Sequence, residues 1–503
     1  MDQKSGTEKF YLTIDQGTSS TKVCVFDSKG HMLSKDTREH KQIVYNEKYV
    51  EHDPNEILEN CRTLIQESVN LFEKTDSEFS SKILGLSITN QRETLVVWDK
   101  ATREPLYNAI VWYDKRTDEI CERYIKEKGN KSHFSQINGL PISTYFTVFK
   151  LIWLLENVPD VKKAYDENRL MIGTIDTWLV YKLSKEGGHF TDRSNASRTF
   201  LYNLHSGDWD QNLLDYFGIK RDILPAIKFT TDHYGYLNVN KLEHVPIVSV
   251  MGDQQAAALG LGVIHEGDSK VTYGTGSFIL TNTGTSLKFK EGFLTTVLWQ
   301  FPDEPTIFGL EASIESGGSS IAYLKDNLKL FKTYHEIDLE VEDHTTFTKS
   351  IYMINFFNGV FSPYWNPKAQ SMIYGLSFEN QNYDVFRACI EGVCYRVAEC
   401  IELLDEAKGS LKADGGMTEN HYMTIFQSSL IDNEFLVSNC TQGTTMGIFI
   451  AMLVGLKDLP NVQSAEHIFP STHKVEKIGG DARTQIQRKF QKYKELLNFV
   501  LNN

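Results

Sequence analysis

Two turns rich in glycine and hydroxylated residues are the strongest chemical signal in the sequence. Residues 15–22 read Asp-Gln-Gly-Thr-Ser-Ser-Thr-Lys, and residues 273–278 read Tyr-Gly-Thr-Gly-Ser-Phe. Backbone N–H groups and hydroxyls in such turns can surround phosphate oxygens, and Lys22 adds a positive charge. A plain polar hairpin turn is the alternative; it accounts for Gly17 but not for the run of hydroxylated residues closed by lysine. Two such turns facing each other would hold a polyphosphate from both sides.

An aspartate near the start of a small-residue segment is the candidate general base. Asp253 follows Gly252 and precedes two glutamines and three alanines, a segment that predicts a tightly packed helix. A helix N-terminus favours an ionised carboxylate, so an N-cap role without catalysis is the alternative. An alcohol that accepts a phosphoryl group must lose its proton, and one positioned carboxylate is enough because the transition state is loose. We predict that Asp253 takes this proton.

Two polar segments can hold a molecule that carries several hydroxyl groups. Residues 90–93 read Asn-Gln-Arg-Glu, and residues 108–112 read Asn-Ala-Ile-Val-Trp. Arg92 and Glu93 offer hydrogen-bond donors and acceptors to neighbouring hydroxyls, while Trp112 can cover the carbon face of a polyol. Adjacent residues on a strand point to opposite faces, so both charged side chains meet one ligand only if residues 90–93 form a turn. A structural ion pair between Arg92 and Glu93 is the alternative.

The phosphate turns do not belong to a familiar nucleotide motif. The sequence has no Walker A motif, and residues 273–278 lack the third glycine and the following helix of a dinucleotide-binding motif. The step Asp414-Gly415-Gly416 would let the backbone approach a flat ligand, although a tight turn also accounts for these residues. The pattern therefore predicts a nucleotide held by two hairpins.

Strands dominate the regions around these turns. Alternating apolar residues predict a strand, a turn and a second strand over residues 11–27 and again over residues 270–281, about half the chain apart. This repetition resembles a duplication. Two further predicted strands between residues 83 and 99 enclose residues 90–93.

Amphipathic helices separate the strands. One is predicted to begin after Asp53, with Pro54 at its first position, and another covers residues 390–404 at helical spacing. Strands alternating with helices predict an α/β fold. The glycines between 260 and 267 mark the boundary between two domains, 1–262 and 263–503.

Composition excludes several classes of protein. A net charge of -14 argues against a nucleic-acid-binding protein, which needs a basic face. The seven cysteines form no Cys-x-x-Cys pair and fit a reducing compartment. The first residues lack the apolar core of a signal peptide, and the longest apolar run, 446–456, is too short to cross a bilayer. We therefore expect a cytoplasmic protein without membrane insertion.

These segments, in this order, closely resemble the FGGY family of carbohydrate kinases, whose fold is shared with actin, hexokinase and the 70-kDa heat-shock proteins. The resemblance covers nearly the whole chain; it includes DQGTSS at 15, SITNQRET at 87, YNAIVW at 107, DTWL at 176, TDRSNASRT at 191, GDQQAA at 252, YGTGSF at 273 and DGG at 414.

The family resemblance implies an activity. It predicts two ribonuclease H-like domains around a cleft and the ATP-dependent phosphorylation of glycerol to sn-glycerol 3-phosphate. Another small polyol or ketose is the alternative acceptor. An actin-like scaffold that binds ATP without transfer is a further alternative, against which Asp253 beside a polyol pocket argues.

The resemblance also assigns roles to individual residues and implies ATP, Mg²⁺ and a homodimer. It implies a glycerol pocket in the first domain, with Asp253 as general base, and an adenosine site in the second. Glycerol contacts fall on Arg92, Glu93, Trp112, Tyr145, Asp253, Gln254 and Phe278. Nucleotide contacts fall on Thr18, Ser19, Ser20, Lys22, Thr275, Gly318, Gly416 and Asn420, and Mg²⁺ lies near Asp15 and Asp253.

Overall fold

Within the described residues, the first half of the chain contains fourteen strands and nine α-helices. The computed structural model describes residues 8–46, 48–341, 350–357 and 359–502. The strands are β1 Phe10–Gln16, β2 Ser20–Asp27, β3 Met32–Glu39, β4 Ile43–Val44, β5 Val50–His52, β6 Ile83–Asn90, β7 Val96–Asp99, β8 Ala109–Ile110, β9 Leu170–Gly173, β10 Phe190–Asp192, β11 Tyr202–Asn203, β12 Asp208–Trp209, β13 Ala226–Lys228 and β14 Ile247–Gly252. The helices are α1 Pro54–Glu73, α2 Asp118–Lys128, α3 Ser135–Asn138, α4 Thr147–Asn157, α5 Pro159–Asp166, α6 Ile175–Leu183, α7 Arg193–Ala196, α8 Gln211–Phe217 and α9 Asp253–Gly260.

The second half adds nine strands and six helices within the described residues. The strands are β15 Ser269–Tyr273, β16 Ser277–Asn282, β17 Leu294–Trp299, β18 Ile307–Ile314, β19 Tyr352–Ile354, β20 Met372–Tyr374, β21 Leu411–Asp414, β22 Phe435–Ser438 and β23 Thr472–Lys474. The helices are α10 Gly318–Asp326, α11 Tyr334–Val341, α12 Asn382–Leu403, α13 His421–Leu430, α14 Gly443–Gly455 and α15 Gly480–Asn502.

The same sheet topology occurs in both halves. The first sheet has the order β14-β6-β1-β2-β3, in which β1, β2 and β3 are antiparallel neighbours and β6 and β14 run parallel to β1. The second sheet has the order β17-β18-β16-β15-β21-β22-β23, and its five strands from β18 to β22 repeat that arrangement. The predicted α/β fold is therefore confirmed, and the repeated hairpins are the equivalent first two strands of each sheet.

The two strands that enclose residues 90–93 belong to different sheets. β6 lies in the first sheet, whereas β7 forms a separate two-stranded sheet with β9. The chain changes direction between them at Glu93, whose φ of 61° lies in the left-handed region. Residues 90–93 thus form the turn that the prediction required, although the flanking strands are not a hairpin.

Helix α1 forms as its sequence predicts. The Asp53 carboxylate accepts a hydrogen bond from the Asn55 N–H at 2.8 Å, and Pro54 occupies the first turn, where its missing N–H costs nothing. Ile57 and Cys61, one helical turn apart, are fully buried on the face that packs against the first sheet. Burial of this apolar face holds the helix in place.

Helices α9 and α14 pack at very short range and join the two halves. A Cβ atom on Gly260 would lie 1.9 Å from the Gly443 carbonyl oxygen, and one on Gly447 would lie 1.8 Å from the Ala256 carbonyl oxygen. Only glycine permits this approach. The apolar run 446–456 is largely α14 and is mostly buried at this contact. No helix in the described part of the chain is long and apolar enough to cross a membrane.

We expect Gly447→Ala to lower the midpoint of thermal unfolding by several degrees. The added methyl group meets backbone, which cannot yield as a flexible side chain can, and such overpacking costs about 1–3 kcal/mol. Gly479→Ala is the matched control, since a Cβ there meets nothing within 4 Å. Equal melting temperatures for the two variants would contradict the proposed close packing of α9 and α14.

Candidate functional site

Two cavities adjoin at the turn between β15 and β16. The inner cavity, of about 640 Å³, is lined by residues from both halves of the chain. The outer cavity, of about 1080 Å³, is lined by residues of the second half. Gly274, Thr275, Glu315 and Ser319 line both cavities. A ligand in the outer cavity can therefore extend along this turn towards the inner one.

The structure brings most of the predicted site residues to these two cavities. Of the predicted nucleotide contacts, Thr18, Ser19 and Thr275 line the inner cavity. The predicted acceptor residues all line the inner cavity: Arg92, Glu93, Trp112, Tyr145, Asp253, Gln254 and Phe278. Thr275, Gly318, Gly416 and Asn420 line the outer cavity.

Three aromatic rings form one wall of the inner cavity. The ring centroids of Trp112 and Tyr145 are 5.2 Å apart, and those of Trp112 and Phe278 are 6.1 Å apart. The Trp112 indole N–H donates a hydrogen bond to the Thr18 hydroxyl at 3.0 Å, which ties this wall to the first hairpin. Such a wall can cover the carbon atoms of a small polyol and exclude water from them.

Arg92 and Glu93, which line the inner cavity, belong to a buried group of four charged side chains that also includes Arg198 and Glu311. The Arg92 guanidinium donates to both carboxylate oxygens of Glu311, at 2.5 and 3.1 Å. Arg198 donates to Glu93 at 2.5 Å and to Glu311 at 3.1 Å. All four side chains are at most 3% exposed. Each buried charge is therefore paired, as a low-dielectric interior requires.

The Asp253 carboxylate faces the inner cavity. Gly252 is the N-cap residue of α9, and Asp253 follows it as the first helical residue, with a quarter of its side chain exposed. One carboxylate oxygen lies 3.3 Å from Arg92 Nε. Burial raises the pKa of Asp253 to about 6, with Arg92 acting in the opposite direction and Glu93 adding to the rise. A carboxylate with this pKa is ionised at neutral pH and is a stronger base than an ordinary aspartate.

The first hairpin is held by amide side chains from neighbouring elements. Gln42 donates to the Thr18 carbonyl at 3.0 Å, and Gln91 donates to the Gly17 carbonyl at 3.3 Å. Gln91 therefore links the turn of the first hairpin to the neighbouring charged residues at 92 and 93. Side chains of the protein itself thus hold this turn in place.

Three predicted contacts are not among the residues that line the two cavities in the described part of the chain: Asp15, Ser20 and Lys22. Lys22 Nζ lies 3.0 Å from an Asp15 carboxylate oxygen, and this carboxylate raises the pKa of the lysine. Asp15 also raises the pKa of Asp253, so the two carboxylates lie within electrostatic reach of each other.

The second hairpin supports the start of α10. The Gly318 N–H donates to the Gly274 carbonyl at 2.8 Å, and the Ser319 hydroxyl donates to the Thr275 carbonyl at 2.8 Å. A Cβ on Gly317 would lie 2.7 Å from the Gly274 carbonyl oxygen, so glycine is needed for this approach. The first turn of α10 therefore packs against the hairpin, and the N–H groups of Gly318 and Ser319 are paired with the carbonyls of Gly274 and Thr275.

The outer cavity is lined by a glycine step and by aromatic rings. Gly415 has a φ of 100°, and a Cβ there would lie 2.3 Å from the Tyr273 carbonyl oxygen. Next to it, Gly416 opens onto the cavity, where a Cβ would meet nothing within 4 Å. Tyr323 and Phe357, whose ring centroids are 4.6 Å apart, also line this cavity. A flat heterocycle fits such surroundings.

Comparison with known proteins decides the family. The model of the FGGY carbohydrate kinase N-terminal domain matches residues 10–260, and that of the C-terminal domain matches residues 269–456. The chain belongs to the FGGY family of carbohydrate kinases. Its fold is accordingly that of the actin-like ATPases, as the sequence predicted.

Individual members of the FGGY family are similar over nearly the full length. The glycerol kinase of Chloroflexus aggregans is 39% identical over 450 residues, 87% of this chain and 88% of that one. The glycerol kinase of Roseiflexus sp. strain RS-1 is 38% identical over 447 residues, with the same coverage. The crystal structure of Plasmodium falciparum glycerol kinase with ADP superposes with a TM-score of 0.87 and 30% identity, covering 97% of this chain and 98% of that one.

The sequence missed several residues of this FGGY kinase site. Arg198 and Glu311 complete the buried ion group, Phe361 lines the inner cavity, and Gln42 holds the first hairpin. The segment 191–199 contributed to the family resemblance, but nothing in it identified Arg198 as the partner of Glu93. Glu311 lies in a strand with no local motif, so no sequence signal pointed to it.

Proposed function

We propose that this chain transfers the terminal phosphoryl group of ATP to glycerol, with sn-glycerol 3-phosphate and ADP as products. The proposal rests on one observation above others: the cavity that contains Asp253 adjoins, along the 274–275 turn, a larger cavity suited to a nucleotide. Similarity to curated glycerol kinases over 87% of the chain supports glycerol as the acceptor.

Glycerol would lie in the inner cavity between the aromatic wall and the buried charged group. Trp112 and Phe278 would cover its carbon atoms, while Arg92 and Glu93 would bind its hydroxyls. Arginine supplies several donors in a fixed fork and a carboxylate supplies acceptors, so the pair suits vicinal hydroxyls. Gln254, whose amide oxygen accepts a hydrogen bond from Lys270, would complete the pocket from the side of α9.

Asp253 would accept the proton of the terminal hydroxyl. As this proton leaves, the hydroxyl oxygen bonds to the γ-phosphorus, and the bond from phosphorus to the ADP oxygen breaks. The loose transition state needs alignment and charge neutralisation more than strong nucleophilic activation. The two hairpins would supply N–H groups and hydroxyls to the polyphosphate, and the aromatic wall would exclude water as a competing acceptor.

The residues around Asp253 fit a magnesium ion that accompanies ATP. Asp15 and Asp253 provide carboxylate oxygens, the ligand type that Mg²⁺ prefers, and Asp15 is close enough to raise the pKa of Asp253. The described residues contain no cluster of three or more metal-binding side chains. We therefore propose that Asp15 and Asp253 hold Mg²⁺ largely through water, where the ion would neutralise phosphate charge.

The domain boundary and the oligomeric state are further parts of the proposal. The division into 1–262 and 263–503 agrees with the position of the two sheets along the chain.

A homodimer is supported by exposed apolar side chains in the segment 373–378, among which Leu376 is 59% exposed and Phe378 is fully exposed. An apolar patch of this kind is typical of a protein interface.

A coupled ADP-release assay tests the acceptor. The purified chain is supplied with Mg-ATP and, separately, glycerol, dihydroxyacetone, glyceraldehyde, xylulose and gluconate. We expect the highest kcat/KM with glycerol, because the inner cavity binds hydroxyls through Arg92 and Glu93 and covers a short carbon chain with Trp112. A clear preference for xylulose or gluconate would replace glycerol by another acceptor, and ADP release that no acceptor stimulates would refute phosphoryl transfer.

A further inference from the structure

We infer that Glu311, a residue of the second half, is a positioning residue for phosphoryl transfer, because it fixes the two arginines that orient the acceptor pocket of the first half. This inference rests on the proposed function. Glu311 lies in β18 and does not line the inner cavity within the described residues. It would therefore act on the acceptor only through Arg92 and Arg198.

The geometry makes Glu311 the centre of the buried ion group. One of its carboxylate oxygens accepts from both arginines, at 3.1 Å in each case, and the other accepts from Arg92 at 2.5 Å. The Ser313 hydroxyl also donates to the shared oxygen, at 3.2 Å. Glu311 is fully buried. Burial opposes its ionisation, but the two guanidinium groups outweigh burial and lower its pKa to about 2.

Arg198 extends this influence to Glu93. Its guanidinium donates to Glu93 through Nε and to Glu311 through Nη2, so one rigid planar group holds two carboxylates. The same guanidinium carbon lies 5.7 Å from the centre of the Tyr145 ring. Glu311 thus restrains Glu93 and Tyr145, two predicted acceptor residues, through a single side chain.

Glu311 also competes with Asp253 for Arg92. Arg92 Nε lies 3.3 Å from Asp253, while the two terminal nitrogens of Arg92 point to Glu311. The other charged groups that act on Asp253 are Glu93, Asp15 and Lys270. Without the Glu311 carboxylate, the terminal nitrogens of Arg92 would lose the partner that fixes their direction. Arg92 could then turn towards Asp253 and away from the acceptor.

The contact between Arg198 and Glu311 is part of a wider junction between the two halves, which the segment around α7 forms. The Ser194 hydroxyl accepts from the Gly252 N–H at 2.9 Å, directly before Asp253, and Asn195 exchanges hydrogen bonds with Asn90. The Ser197 hydroxyl contacts Thr296 at 3.0 Å in the second half. Residues 192–198 therefore hold the turn at 90–93 and the start of α9 against the second sheet, and Arg198 with Glu311 forms the charged part of this junction.

The test is Glu311→Gln, measured with glycerol and with ATP as the varied substrate. We expect the glycerol KM to rise about tenfold, because a neutral amide holds the two arginines less firmly than a carboxylate does, while the ATP KM stays within about twofold. A purely structural role of Glu311 would change both KM values together.

Two further variants separate positioning from folding. Glu311→Asp keeps the charge but shortens its reach, so we expect the glycerol KM to stay raised, by less than in Glu311→Gln, with an unchanged ATP KM. Glu391→Gln is the matched control, because Glu391 is also a buried carboxylate paired with a cation, Lys489, and lies outside both cavities. It should change neither quantity.

The outcomes distinguish this inference from the proposed function. If Glu311→Gln leaves the glycerol KM as it is, or raises the KM values for glycerol and ATP together, Glu311 is not a positioning residue. If Glu311→Gln does not fold, Glu311→Asp decides: a raised glycerol KM with a normal ATP KM supports the inference, and unchanged values overturn it. Absence of glycerol-dependent ADP release in the unchanged protein would instead refute the proposed function.

Discussion

Asp253→Asn should lower kcat with glycerol by about two to four orders of magnitude, the usual contribution of a general base. The amide has nearly the shape of the carboxylate but cannot accept the hydroxyl proton. The glycerol KM should change only a few-fold, because Arg92, Glu93 and the aromatic wall remain. Steady-state kinetics with the ADP-release assay measure both quantities.

The pH dependence provides an independent check on Asp253. Its pKa of about 6 means that the base is ionised above this pH and protonated below it. The value of kcat/KM should therefore fall as the pH drops through about 6, and this acid limb should be absent from the residual activity of Asp253→Asn.

Asp118→Asn is the matched control for this substitution. Asp118 is also the first residue of a helix, α2, but it lies outside both cavities. A surface substitution of this kind should change activity by less than about twofold. Activity of Asp253→Asn close to that of the control would show that another group accepts the proton.

Arg92→Leu should remove most of the affinity for glycerol, with a KM increase of about a hundredfold or more. The glycerol hydroxyls lose their cationic donor, and the remaining polar groups of the site lose a partner. Arg92→Leu should also lower the free energy of unfolding by about 3–5 kcal/mol, since Glu311 keeps only one of its two arginines. Glycerol saturation curves measure the change in KM, and thermal unfolding measures the change in stability.

Arg116→Leu distinguishes binding from stability. Arg116 is also a fully buried arginine, and it pairs with Asp114 and Glu51 at 2.9 and 2.8 Å outside the two cavities. It should lower the melting temperature about as much as Arg92→Leu without a comparable rise in the glycerol KM. A similar KM in both variants would mean that Arg92 acts on the fold and not on the acceptor.

The sequence anticipated the local parts of this molecule well. The two hairpins, helix α1 and the turn at 90–93 all depend on residues close together in the chain, such as Asp53 and Pro54 at the start of α1. Alternating or helical periodicity and turn residues record these short-range preferences directly. Both predicted strands around residues 90–93 form, as β6 and β7, but the sequence did not show that they belong to different sheets, because sheet partners depend on where distant segments lie.

Asp253 shows where local reasoning stops. From its sequence context, an N-cap aspartate and a catalytic base were both consistent interpretations. The structure identifies Gly252 as the cap and places Asp253 beside Arg92, at the border of a cavity. The raised pKa arises from burial together with charges at positions 15, 92, 93 and 270, which are far apart in sequence.

The sequence by itself determined which chemical groups are available: two turns rich in glycine and hydroxylated residues, a carboxylate after a glycine, and an arginine beside a glutamate in a turn. The tertiary structure alone decided how these groups are charged and aimed. Glu311 is 219 residues from Arg92 in sequence and yet lies 2.5 Å from it. Electrostatic interactions act through space, and burial strengthens them, so they become defined only when both halves have folded against each other.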